Sequence, residues 1–285
     1  MKRLFGLLLT GTLVAAMPLA ACANNTTAPA STGTEETTTE GAAETGVTQV
    51  EIESKIIGTW VVADEDGKSA HTNDKLAYDF VSLSQAKVYA SLDTPLEGTS
   101  GFLNAEEADV SLDGNTLTVT EHPGENETVK NQFTITAISD SEFSADYEAI
   151  HEVDGGVKDS YTSTVRCVKP DVDYQDAVLG TWEDRAKIVD GEPSDKFEPH
   201  RRQFKADGTY DYYTMQDNEL VLAEDGQGEY CVAGNLLCQH WVEDGEDRNA
   251  VWDIEIDGDT MTLHALRRHK DGSSYEVAFE LAKAE

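Results

Sequence analysis

The chain has 285 residues, of which 55 are acidic and 21 basic, for a formal net charge of −34. A body this acidic is repelled by phosphate backbones and anionic headgroups, which argues against nucleic acid as a partner. The charge serves solubility on the plainer reading, and a cation or basic partner on the sharper one.

Lys2 and Arg3 open the chain, an apolar run follows over residues 4–17, and small residues lead to Leu19-Ala20-Ala21-Cys22. The run is shorter than the ~20 residues of a membrane span, and its layout is that of a secretory signal. Leu-Ala-Ala-Cys resembles the lipobox of bacterial lipoproteins. The resemblance implies that residues 1–21 are a signal peptide, that Cys22 carries lipid, and that the protein is membrane-anchored in the bacterial cell envelope, facing the extracytoplasmic side. The alternative is an ordinary cleaved leader with an incidental cysteine. Residues 23–49 hold no Lys, Arg or aromatic residue. They bury too little to offset their ordering entropy, so residues 22–50 read as a disordered tether, roughly 30 Å end to end.

From residue 51 the pattern is β. The first copy predicts strands at 56–63, 76–83, 85–92, 109–112, 116–121, 132–138, 142–150 and 160–168. Residues 104–108 have room for one helical turn at most, and no segment shows a long helical period with caps. Lys169-Pro170-Asp171-Val172-Asp173 reads as a joint, because Pro removes a donor and the charges favour exposure. Beyond it comes a strand at Gly180-Thr181-Trp182. Residues 202–206 then lead through Asp207-Gly208, a hairpin signal, to 209–212. Residues 228–233 and 236–242 flank Gly234-Asn235, residues 250–256 reach Asp257-Gly258-Asp259, and 260–268 returns. Residues 274–283 alternate, with Tyr275, Val277, Phe279 and Leu281 on one face.

The second half repeats the first. Ile57-Gly58-Thr59-Trp60 recurs as Leu179-Gly180-Thr181-Trp182, Asp113-Gly114-Asn115 answers Ala233-Gly234-Asn235, and Cys167 answers Leu281. The offset shrinks along the chain, as small loop deletions require. A repeat this long indicates two homologous domains, 51–169 and 174–285, rather than a solenoid.

Eight short antiparallel strands with one apolar face each make a closed barrel or a sandwich. Gly-Thr-Trp on a first strand, followed by Phe204, Asp207, Gly208 and Tyr210 in a hairpin, resembles bacterial lipocalin-like domains. The resemblance spans residues 52–285. It implies an all-β fold of two tandem antiparallel eight-stranded lipocalin-like β-barrels, with Trp60 and Trp182 plugging one end of each. The family's last-strand arginine, which covers that tryptophan, has Arg166 as a candidate in the first copy. Glu280 stands at the aligned place in the second.

Cys231 and Cys238 fall opposite each other across Gly234-Asn235, close enough for a disulfide in an oxidising envelope, with two free thiols as the alternative. Cys167 reads as a small core hydrophobe. No nucleophile elbow, zinc motif, redox pair or P-loop occurs, so no catalytic residue, metal site or cofactor is assigned. Asp253-x-Glu255-x-Asp257-Gly258 resembles half a calcium loop, but His264 stands where the closing Glu belongs, and an amphipathic strand entering a turn explains it. His200, His240, His264 and His269 lack metal-type spacing. Arg201-Arg202 and Arg267-Arg268 either offset neighbouring carboxylates or form an anion site.

An enzyme is disfavoured, because no nucleophile, base and orienter converge in the sequence, and two readings of function remain. One is a non-catalytic lipoprotein binding a small apolar or amphipathic ligand in a barrel. The other is a structural or protein-interaction module of the envelope, with barrels filled by side chains. An eight-stranded barrel is wide enough for either, and a cavity near 300 Å³ or more decides between them. Small inward residues make the first barrel the expected site. Its lining would be Val88, Ala90, Phe133, Ile135, Ala145, Tyr161 and Ser163, whereas the second offers Tyr210, Tyr212, Trp252 and Phe279.

Overall fold

The computed structural model describes residues 46–89, 106–217 and 219–284. Cys22, the leader, most of the tether and Ala90 lie outside the described residues. Residues 45–285 form one compact unit.

The first half builds β1 (Gly58–Glu65), β2 (Lys68–Ser69), β3 (Ala77–Ser82), β4 (Gln85–Tyr89), β5 (Glu106–Asp113), β6 (Thr116–Gly124), β7 (Glu127–Ile138), β8 (Glu142–Val153) and β9 (Gly156–Val168). β1 pairs antiparallel with β3, each strand from β3 on pairs antiparallel with the next, and β1 also pairs with β9. Eight strands therefore close an up-and-down barrel, with the two-residue β2 hung on β1. The second half repeats this with β10 (Gly180–Val189), β11 (Glu192–Pro193), β12 (Arg201–Phe204), β13 (Thr209–Gln216), β14 (Glu219–Ala233), β15 (Leu236–Glu243), β16 (Glu246–Asp257), β17 (Thr260–Arg268) and β18 (Ser274–Lys283). The closing seams match, Val62 facing Cys167 in the first barrel and Asp184 facing Leu281 in the second, and each seam carries a bulge just beyond. Closure leaves no long open edge among the described residues.

Turn chemistry sets the registers. Asp66-Gly67, Asp154-Gly155, Asp190-Gly191 and Asp244-Gly245 have positive φ at both residues, the tight-turn geometry that matches strand twist. One strand is much longer than the sequence predicts. Residues 219–227 belong to β14, whereas the sequence reading starts that strand at Gly228. A Cβ at Gly226 or Gly228 would collide with the Tyr212 or His240 carbonyl, so the glycines let neighbouring backbones close in where the register shifts.

A helix the sequence reading missed leads into the first barrel. α1 (Gln49–Lys55) is opened by a capping box in which Thr48 and Glu51 satisfy each other's backbone N–H. It buries Ile52, and Val47 packs on the same core, so the folded body begins inside the stretch assigned to the tether. The helix also positions the plug. The Trp60 indole donates to the Ile56 carbonyl at 2.6 Å, as Trp182 does to Val178 at 2.8 Å. Both rings are fully buried, and Trp60 meets Phe143 edge-on at 5.1 Å.

The residues covering these rings are lysines, not the expected arginine. Lys169 Nζ lies 4.8 Å from the Trp60 centroid and Lys283 Nζ 5.3 Å from that of Trp182. Arg166 points outward on its strand and pairs with Asp64 at 2.5 Å. Gly58 and Gly180 on the tryptophan strands both have φ +113°, and the end of each lysine side chain passes 3.5 Å and 3.3 Å from where a Cβ would stand.

The barrels share a third core. Val61, Ala77 and Tyr89 on the outside of the first meet Cys231, Ala233, Leu236, Cys238 and Val251 on the outside of the second. Around it Lys75 pairs with Asp253 at 2.7 Å, Thr72 Oγ1 accepts from the Leu266 N–H at 2.8 Å, and Arg268 reaches Asp74 at 2.8 Å. Asp253 is thus an interface residue on a strand, paired with Lys75.

Candidate functional site

Apart from Ala90, which lies outside the described residues, the predicted lining faces inward in the first barrel, and most of it is core. Val88, Phe133, Ile135 and Ala145 are buried in one cluster; Tyr161 and Ser163 are half-buried nearer the mouth. Small walls have not left space beside Phe133, whose ring lies 5.3 Å from Tyr78, 5.9 Å from Phe143 and 5.1 Å from Tyr147. Above the rings the interior turns polar. Tyr147 donates to Asn131 at 2.6 Å, and Asn131 donates to Glu121 at 2.6 Å. Tyr161 donates to Glu65 at 2.8 Å, and burial, reinforced by that carboxylate, pushes its hydroxyl up to about 12.

The second barrel holds a cavity of about 710 Å³. That lies within the usual range of small-molecule sites, roughly 300–1,000 Å³. Its closed end is the core around Trp182, Phe204 and Leu237. Tyr212, Trp241, Trp252, Tyr275 and Phe279 supply aromatic wall. Trp252 and Phe279 meet edge-on at 5.6 Å with planes at 84°. Burial pushes the Tyr212 hydroxyl up to about 12 despite the neighbouring arginine.

Three cations also line this space: Lys187, Arg202 and Arg267. Strand alternation splits each basic pair noted in the sequence. Arg201 faces outward to Glu183, while Arg202 is buried and bonded to the fully buried Asp184, which His200 approaches at 3.3 Å. Arg268 faces the first barrel; Arg267 faces the lumen, anchored on the Val251 carbonyl at 2.8 Å and lying 4.5 Å over Trp252. Lys187 lies 5.5 Å over Phe279. The acids lining the cavity beyond this layer, Glu224, Asp225, Glu243 and Asp244, are exposed at the mouth.

Cys231 and Cys238 are in the expected register, yet they are unbridged. Both thiols are buried between the barrels, outside the cavity. A hydrogen bond with Cys231, then burial, raises the Cys238 thiol well above its ordinary value, and burial raises that of Cys167. Thiolate, the species that attacks in disulfide chemistry, is suppressed in such surroundings. Among the described residues no group of three metal-type side chains converges, and no helix is long and apolar enough to cross a membrane. No protein-family model matches the chain, and no curated protein matches it in sequence.

Proposed function

We propose that this chain is a lipid-anchored, non-catalytic envelope protein that holds a small amphipathic molecule inside its second barrel. The observation that carries the reading is the 710 Å³ cavity of that barrel, with aromatic walls and cations beside them. Apolar surface supplies affinity in such sites, and a few polar groups fix orientation. The placement departs from the expectation that small wall residues mark the hollow barrel. Volume depends on where neighbouring rings lie, and in the first barrel Phe133, Phe143 and Tyr147 occupy the middle. Packed in this way, the first barrel suits the second sequence reading, a side-chain-filled module that carries or contacts another envelope protein. Cys22 supplies the anchor on the lipobox resemblance.

A fluorescent fatty-acid probe titrated into the purified chain tests the proposal. Saturable uptake at one site is expected. Ala250→Phe, which fills the cavity from a half-buried wall position, is expected to remove it without lowering the melting temperature. Absence of any saturable uptake would replace the carrier by the interaction module.

A further inference from the structure

Matching the two barrels residue by residue provides an internal control for the cations. Gly58 pairs with Phe80 and Gly180 with Phe204, so Arg202 stands where the first barrel has Tyr78. The seams put Lys187 in the place of Glu65 and Asp184 in the place of Val62. The last hairpins put Arg267 opposite Tyr275 where Ala149 stands opposite Tyr161. The same three inward positions thus hold an acid, a phenol and an alanine in one barrel, and three cations in the other. The fold does not need basic residues there, and a chain with 55 acids and 21 bases has few to place.

The three cations are not equivalent. Arg202 is neutralised by Asp184. Lys187 is half-buried, and its partner among the described residues is the face of Phe279, not a carboxylate. In the first barrel Glu65 at this position accepts from Tyr161, so the site there is closed on itself. An ammonium held inside a barrel beside aromatic faces is poorly compensated, and an anion entering the lumen compensates it. The acids at the mouth do not fill that role. They are exposed, where water screens them, and Glu243 is engaged by Arg248 at 3.3 Å.

From this comparison we infer that the second barrel selects organic anions, whose acidic group is met by Lys187, with Arg267 lining the same cavity, and whose planar apolar body lies against Trp241, Trp252 and Phe279. The inference rests on the carrier reading and adds the ligand's charge to it.

The test uses two probes with one ring body: anilinonaphthalene sulfonate, and phenylnaphthylamine, which lacks the sulfonate. Both are titrated into the whole chain by fluorescence at low salt. The sulfonate is expected to bind about tenfold more tightly, the scale of one charge-assisted contact. Lys187→Met is expected to abolish that margin and leave the neutral probe unchanged. Lys187→Glu, the residue type found at the matching place in the first barrel, is expected to weaken the sulfonate further. Equal affinity for both probes, or a sulfonate affinity indifferent to either substitution, overturns the inference and leaves the carrier reading standing. If neither probe binds saturably, the carrier reading falls and the inference with it. Unchanged melting temperatures in both variants separate a lost contact from a lost fold.

Discussion

Leu236→Ala tests whether the two barrels stabilise each other. Leu236 is fully buried, but on the outside of its barrel, against a cluster that includes Val61, Ala77 and Val251. Truncation leaves a hole between two hydrogen-bonded sheets that cannot easily collapse. Leu-to-Ala changes at such sites cost about 2–5 kcal/mol. Taking about 3 kcal/mol and a urea slope of about 2 kcal/mol/M, the midpoint for the second barrel should fall by about 1.5 M. The control is residues 170–285 alone, which keep their own strand set and core. There Leu236 faces water, and the substitution should cost no more than about 0.5 kcal/mol. Urea unfolding followed by tryptophan fluorescence and by circular dichroism reads both. An equal cost in the two contexts, or a negligible cost in the whole chain, would refute a shared core.

Trp182→Ala should destabilise by about 3–5 kcal/mol, since it removes a buried ring together with its bond to Val178 and its contact with Lys283; a cost near zero in urea unfolding would place it outside the core. The folded thiols of Cys167 and Cys238 are raised above the ordinary thiol value. The native state therefore holds protons that the unfolded chain releases. Their contribution is fully present below the unfolded thiol value, about 8.5, and is lost as pH rises through it toward the folded values; urea midpoints should fall between neutral and strongly alkaline pH, and a flat profile would contradict the assignment. Cys22→Ser should release the protein from membranes, and full partition of the variant into a detergent phase would end the lipoprotein reading.

Much of the fold is legible in the sequence because strand alternation, Asp-Gly turns and the doubled Gly-Thr-Trp each report a local requirement. α1 was missed because seven residues cannot display a helical period, although its capping box Thr48-x-x-Glu51 was there to be read. The shared core was missed for a different reason. Val61, Cys231, Leu236 and Val251 are apolar at outward positions, and alternation assigns such positions to solvent unless a second sheet is known to cover them. The register of Cys231 and Cys238 could be counted from the turn, but the chemical state of the thiols depends on what buries them. The cavity was expected in the other barrel. Residue size along a strand says how thick a wall is, and the lumen depends on side-chain directions such as the edge-on contact of Trp252 with Phe279. The basic pairs were noticed, but one member of each lies inside and one outside, and strand phase alone separates them.

On the proposed function the second barrel, not the first, holds the ligand. The most direct measurement titrates one fluorescent fatty-acid probe into three forms of the chain: unmodified, Ala250→Phe and Ala145→Phe. Ala250→Phe is expected to abolish saturable binding with the fold intact. Ala145→Phe should overpack the core between Ile135 and Val165, costing about 1–3 kcal/mol of stability, and leave the affinity unchanged. Loss of binding in Ala145→Phe with full affinity retained in Ala250→Phe would contradict it.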